Sequence, residues 1–279
     1  MQTAFSVIFF FIVSTLCSQT QIAEPLIYRA SYELTYKPDS TNPEDVKKEE
    51  FLLYRGNNLS LFASKGRILR DSLAANIKLN GMGTIDISER AAMTKTNFNY
   101  VIYKGFPEDR ISYTYKIIRD HLRYEEELDL FSWEILPETK ELQGFSAQKA
   151  TTTYAGRDYV AWFTSEIPIP DGPYKFNGLP GLILEVADTQ QHYVFTLTGF
   201  EKYKDPLSVE LKASDFIKTD KKKLLALKKE YALNPFAALE RSNTAEKTVT
   251  INFKEGQKEK LLKEAKEKVA RENNPIELN

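Results

Sequence analysis

Residues 26–37 read LIYRASYELTYK, and apolar and polar side chains alternate along the whole segment. Side chains on one face of a strand are two residues apart, so this pattern is typical of a strand with one buried face. The alternation recurs over 111–117, 122–128 and 193–198, and strand patterns follow one another without intervening helices. This order predicts an antiparallel sheet rather than parallel strands joined by helices.

Two local features refine this sheet. Short apolar runs at 51–54 and 59–63 flank Gly56-Asn57-Asn58, which predicts a hairpin turn. After Gly199 the aromatic side chains fall out of phase with the preceding alternation, and this predicts a bulge in the strand.

Helical spacing of apolar residues is rare, and most of it lies late in the chain. It covers 218–231, with Thr219 as the expected N-cap, and 256–272. We therefore predict a mainly β (α+β) fold, a long curved antiparallel sheet or half-barrel with C-terminal helices. A single β-rich domain would span 19–279, with its helical part from about 205.

Composition excludes several classes of protein. Lys and Arg total 38 and Asp and Glu total 39 in 279 residues, so no basic excess points to nucleic acid. Cys17 is the only cysteine, which excludes a CxxC redox pair, a cysteine-rich zinc site and a disulfide framework. The sequence contains no phosphate-binding GxxxxGK loop. We expect no cofactor, no metal and no catalytic residue.

The N-terminus carries an apolar segment without charged residues, AFSVIFFFIVSTL at 4–16. It is too short to span a bilayer as an ordinary helix and is typical of a secretory signal, here assigned to 1–18. We therefore expect a periplasmic or outer-envelope location. Leu16 stands where a lipoprotein signal needs a small residue, so we expect no lipid anchor at Cys17.

The segment 168–181, PIPDGPYKFNGLPG, contains four prolines and three glycines. Proline and glycine together make sharp, rigid turns, and the apolar residues between them favour burial. We expect an ordered, partly buried crossover between two strands over 157–188. Gly178 and Gly181 are expected to have backbone conformations that a side chain disfavours, or to lie too close to neighbours for one.

The hexapeptide Gly178-Leu179-Pro180-Gly181-Leu182-Ile183 spells GLPGLI, and the chain resembles the GLPGLI family of exported proteins, found mainly in Bacteroidetes. Similar context extends over most of 26–203. It includes Gln148-Lys149-Ala150-Thr151, Gly156-Arg157, Ala161-Trp162-Phe163-Thr164 and Gly172-Pro173-Tyr174-Lys175-Phe176. Members often carry a cysteine where this chain has Phe145-Ser146-Ala147, which removes any thiol role here. The resemblance implies export to the periplasm or outer envelope and no known reaction.

Three functions stay open. The first is binding of an apolar ligand or another envelope protein, with Arg157, Trp162, Tyr174 and Phe176 as candidates for binding or packing. Trp162 is expected to pack under the crossover, and Arg157 to pair with Asp158. The second is a hydrolase built on two carboxylates, chosen among Asp158, Glu166, Asp171 and Glu185. The third is an accessory subunit of an outer-membrane transporter, docked through the Lys-rich helices.

Overall fold

The computed structural model describes residues 21–80, 87–237 and 252–279, so the signal assigned to 1–18 lies outside the described residues. The strands are β1 Gln21–Tyr36, β2 Lys47–Arg55, β3 Ser60–Ser64, β4 Tyr100–Lys104, β5 Arg110–Ile117, β6 Asp120–Glu127, β7 Glu134–Leu142, β8 Phe145–Tyr154, β9 Arg157–Thr164, β10 Leu182–Asp188, β11 Tyr193–Lys212 and β12 Ile217–Lys218. The helices are α1 Lys65–Asn80, α2 Ile87–Met93, α3 Lys221–Leu233 and α4 Gln257–Arg271.

These strands form one sheet in the order β12-β6-β5-β4-β3-β2-β1-β11-β10-β9-β8-β7. Neighbouring strands are antiparallel, except that the two-residue β12 runs parallel to β6. The sheet is open, with β12 and β7 at its two ends. The predicted mainly β fold with a long antiparallel sheet and C-terminal helices is confirmed.

The sheet is strongly curved, and Lys175 shows by how much. Its Nζ lies 3.0 Å from the hydroxyl of Tyr124 on β6 and 3.0 Å from the hydroxyl of Tyr154 on β8. These strands are nine positions apart in the sheet order, which would separate them by about 43 Å in a flat sheet. Both can reach one ammonium only because the sheet curls around the crossover.

The two faces of the sheet are buried by different parts of the chain. The concave face packs against the crossover, where Tyr174, Phe176 and Leu179 are buried with the inward side chains of the strands. A smaller apolar cluster covers the convex face of β3 and β4, and Ile68 of α1 and Phe216 pack against it. The concave side is therefore filled by the protein's own side chains.

Both local predictions for the sheet are confirmed. β2 and β3 pair antiparallel, with Arg55 opposite Ser60 on either side of the predicted turn. In the β1–β11 ladder, Ser31 pairs with Gly199 and the next residue, Tyr32, pairs with Leu197. Thr198 is thus the extra residue of a β-bulge.

The helical part differs from the prediction in three ways. β11 continues to Lys212, so the C-terminal helical part begins at Lys221 and not near 205. The N-cap of α3 is Asp220 and not Thr219, because the Asp220 carboxylate accepts a hydrogen bond from the Lys223 backbone N–H at 2.7 Å. Helices α1 and α2 were not predicted, although the Ser64 hydroxyl accepts a bond from the Arg67 N–H, a capping signal that precedes α1.

The two glycines of the crossover are constrained differently. A Cβ on Gly181 would lie 2.0 Å from the backbone oxygen of Thr164, closer than any real contact. Gly178 has φ +91°, which disfavours a side chain, but a Cβ there would meet nothing within 4 Å. Gly181 is therefore required by space, and Gly178 by backbone conformation.

Replacing Gly181 with alanine should lower the free energy of unfolding by about 1–3 kcal/mol, because the Thr164 backbone must move to admit the methyl group. Gly178→Ala is the matched control and should cost about 1 kcal/mol, from its positive φ alone. Thermal and urea melts of both variants measure the difference. Equal stability of the two variants would contradict the steric assignment.

Candidate functional site

The most buried charge in the crossover is Lys175, whose side chain is 0% exposed. Its Nζ lies 2.5 Å from a carboxylate oxygen of Glu126 and 2.5 Å from one of Glu277. Four tyrosine rings surround it with their centroids 5.2–5.7 Å from Nζ, namely Tyr113, Tyr124, Tyr154 and Tyr174. Two carboxylates and the faces of the rings together compensate the buried ammonium.

Tyr174 contributes to this cluster at a conformational cost. Its backbone has φ 53°, in the left-handed region that non-glycine residues rarely adopt. Its ring packs edge-on to Tyr100, with centroids 5.7 Å apart, and its hydroxyl donates a hydrogen bond to Glu277. These contacts hold the strained residue in place.

The C-terminal tail, residues 274–279, completes the concave core. Glu277 joins Lys175 to Lys221, whose Nζ lies 2.7 Å from its second carboxylate oxygen. Burial alone would raise the pKa of Glu277, but the charge of Lys175 and hydrogen bonds from Lys175, Lys221 and Tyr174 lower it to about 2. The carboxylate is therefore ionised at neutral pH.

Arg157 binds the same tail from β9. Its guanidinium donates to the side-chain oxygen of Asn274 at 2.6 Å and to the backbone oxygens of Pro275 and Ile276. Its ionic partner is Asp188, at 3.1 Å, and both side chains are buried. The predicted pair with Asp158 is wrong, because Asp158 points outward and accepts a bond from Thr153.

The candidate aromatic residues are split between the two faces. Tyr174 and Phe176 are buried, at 2% and 0% exposure, so they pack within the core and form no exposed lip. Trp162 does not pack under the crossover. Arg157, Tyr159, Ala161 and Phe163 of β9 are buried, whereas Trp162, which alternates with them, is half-buried on the other face beneath Lys140. Tyr159 takes the expected place, with its ring centroid 4.8 Å from that of Phe176.

The GLPGLI hexapeptide, Gly178 to Ile183, leads the chain from the crossover into β10. Leu179, Leu182 and Ile183 are buried in the concave core. The Ile183 carbonyl accepts a hydrogen bond from the buried Tyr32 hydroxyl at 2.7 Å, which ties the hexapeptide to β1.

The four carboxylates considered for hydrolysis have four different partners. The buried Asp171 forms an ion pair with Lys104, whose Nζ lies 2.5 Å from its carboxylate oxygen. Glu185 forms a half-buried ion pair with Lys140. Glu166 accepts a bond from the Ser146 backbone, and Asp158 one from Thr153. In the part of the chain that the structure describes, no group of three or more His, Cys, Asp or Glu residues is placed to hold a metal.

A cavity of about 460 Å³ opens on the convex face of the sheet. Outward side chains of β4, β5 and β6 form its floor, α1 forms one wall, and the segment after β11 forms another. Its lining includes Arg67, Asp71, Tyr103, Lys116, His121 and Phe216. Aromatic rings and charged groups thus face one space, an arrangement suited to an amphipathic molecule.

The cavity lining carries two cations, Arg67 and Lys116, and two carboxylates, Asp71 and Asp215. Arg67 is paired with Asp71 at 2.8 Å, and the exposed Asp215 carries the other lining carboxylate. Burial lowers the pKa of His121, and the charges of Lys116 and Arg67 lower it further below its ordinary value of 6.5. His121 is therefore neutral at pH 7 and can either donate or accept a hydrogen bond.

The cavity residues were not predicted from the sequence. His121 belongs to the polar side of an alternating strand, which is normally solvated. Tyr103 lies in β4, whose five residues are all buried. This strand is therefore covered on both faces of the sheet.

Replacing Lys175 with methionine should lower the free energy of unfolding by about 3–5 kcal/mol, because Glu126 and Glu277 would lose their buried counter-charge. Lys149→Met is the control, since Lys149 forms an exposed pair with Glu138, and it should cost about 1 kcal/mol or less. Urea denaturation at pH 7 measures both. A loss for Lys175→Met no larger than that of the control would refute the assignment.

Glu277 should also make stability depend on pH. Its pKa is about 2 in the folded protein, below the ordinary 4.5, so its stabilisation is complete above about pH 4.5 and is lost as pH falls towards 2. The difference in unfolding free energy between the wild type and Glu277→Gln should therefore shrink from pH 6 to pH 3. Urea melts at the two pH values measure it, and a constant difference would contradict the low pKa.

No helix among the described residues is long and apolar enough to cross a membrane. No curated protein matches the chain. Two crystal structures of PNGF-II are similar to it, each at 14% sequence identity and a TM-score of 0.47. The similarity covers 72% of this chain, and it covers 33% of the PNGF-II chain in one crystal form and 32% in the other. The chain thus spans about one third of the length of PNGF-II, and a similarity at this level carries no information on activity. Residues 154–185, which contain the crossover, match the model of Porph_ging, a family of proteins of unknown function.

Proposed function

We propose that this chain is an exported protein of the GLPGLI family, in the periplasm or outer envelope, that binds a small amphipathic molecule in its convex-face cavity. The apolar segment 4–16 supports export. Family membership is supported by the hexapeptide at 178–183, which lies within the residues that match a family of unknown function.

The observation that carries the binding function is the cavity itself. Its volume of about 460 Å³ lies within the range of small-molecule sites, roughly 300–1,000 Å³. The concave side is filled by Tyr174, Phe176 and the tail. Binding on the convex face is therefore better supported than binding inside the curved sheet.

The other two functions have less support. The carboxylates Asp158, Glu166, Asp171 and Glu185 are held by separate partners, which gives a hydrolase no evident pair. A role as an accessory subunit of an outer-membrane transporter stays a prediction. It rests on the two Lys-rich C-terminal helices, α3 and α4.

Ligand-observed NMR of the mature protein with a library of small amphipathic aromatic compounds tests the binding function. Compounds should bind the wild type, and Asp215→Trp should abolish binding because the indole would fill the cavity mouth. Ser214→Trp is the matched control, an exposed neighbour outside the lining, and should bind as the wild type does. Failure of all compounds to bind, or equal binding by both variants, would overturn the proposal.

A further inference from the structure

Arg123 is a buried cation next to the cavity. It lies on β6 two residues after His121, so both side chains project from the same face of the strand. Arg123 is 4% exposed, and its Cζ lies 5.3 Å and 5.5 Å from the ring centroids of Phe106 and Phe216. The guanidinium is thus packed against aromatic rings rather than solvated.

The hydrogen-bonding capacity of Arg123 is only partly used. One nitrogen, Nη2, forms an ion pair with Glu125 at 2.8 Å. The other two, Nε and Nη1, are buried and have no hydrogen-bond partner among the described residues. Buried N–H groups without a partner are costly, and a water, an ion or another polar molecule that supplies an acceptor would remove this cost.

Phe216 separates this guanidinium from the cavity. Its ring lines the cavity, and Arg123 packs against the same ring without itself reaching the lining. Phe216 lies between the exposed Asp215 and Ile217, in the short segment that joins the 3-10 turn Ala213–Asp215 to β12. The Phe216 ring also packs against Tyr103, Phe106 and His121, so a rotation that opens Arg123 to the cavity has to break these contacts.

The other charged groups of the cavity lining balance one another. Arg67 is paired with Asp71, which leaves one cation, Lys116, and one solvent-exposed carboxylate, Asp215. Any preference for a negative ligand group therefore comes from Arg123. A ligand anion beside Arg123 would thus add the acceptor that the buried N–H groups lack.

We propose that the cavity selects amphipathic anions, whose carboxylate or phosphate group accepts a hydrogen bond from Nη1 of Arg123 once Phe216 has turned aside. The ligand's apolar part would remain on Tyr103. This inference rests on the proposed function and adds the charge of the ligand and the residue that recognises it. A charge-assisted hydrogen bond from a guanidinium N–H suits either anion.

Titration calorimetry with compounds that share one apolar group tests the charge preference. The probes are 3-phenylpropionate, 3-phenylpropylphosphonate, 3-phenylpropanol and 3-phenylpropylamine. At least one anion should bind about ten-fold more tightly than the alcohol, the amine should bind most weakly, and the better anion identifies the recognised group. Equal affinity of anions and alcohol, or no binding by any probe, would overturn the inference.

Variants then assign the preference to Arg123. Arg123→Met keeps an apolar stem on the two rings and should remove the advantage of the anion, while binding of the alcohol is retained. Arg123→Lys keeps the positive charge but not the guanidinium geometry, and it should retain part of the advantage. Lys116→Met is the control from the floor of the cavity and should retain most of it.

The outcomes separate the two proposals. If Lys116→Met abolishes the anion preference and both Arg123 variants retain it, the inference is wrong and the binding function stands. If Asp215→Trp binds all the probes, including the alcohol, as tightly as the wild type does, the cavity is not the binding site and the proposed function is wrong. Circular dichroism establishes that each variant is folded before titration.

Discussion

The ammonium of Lys175, buried between two carboxylates and four tyrosine rings, is the interaction on which the curved sheet depends. It receives Tyr124 and Glu126 from β6, Tyr154 from β8, and Glu277 from the tail. A lysine ammonium cannot be buried at acceptable cost unless its charge is compensated and its donors are satisfied. The strands that supply those groups must therefore converge on one point, and the sheet curves to allow it.

The crossover and the tail both contribute to the burial of the Lys175 ammonium. The crossover places Lys175 at the centre through a rigid Pro/Gly backbone, while the tail supplies Glu277 and binds Arg157 with its carbonyl groups. These segments fill the concave side, and the cavity lies on the convex face. There the sheet is covered only in part, by α1 and Phe216.

Much of the sheet could be predicted from sequence because strand periodicity is a local property. The alternation over 26–37 identifies β1 and its buried face, and the apolar residues of 168–181 indicate the buried crossover. Long-range contacts could not be predicted in this way. No local pattern links Lys175 to Glu277, 102 residues away, or shows that Arg157 binds Asp188 rather than its neighbour Asp158.

The candidate site was missed for a related reason. His121 and Arg123 alternate with apolar residues as solvated side chains do. Their environment is set by Phe216, almost a hundred residues later, which packs on the same face. The expectation for Trp162 was wrong because a large aromatic residue was assigned to the core, while the phase of β9 directs it to the other face.

The most direct test of the central claim is the distance between β6 and β8 in solution. Spin labels on cysteines at the exposed positions Glu127 and Thr153, with Cys17 replaced by serine, report it by pulsed electron spin resonance. Convergence on Lys175 predicts one narrow distribution well below the roughly 43 Å of a flat sheet. A distance near that value, or a broad distribution in the wild type, would contradict the account.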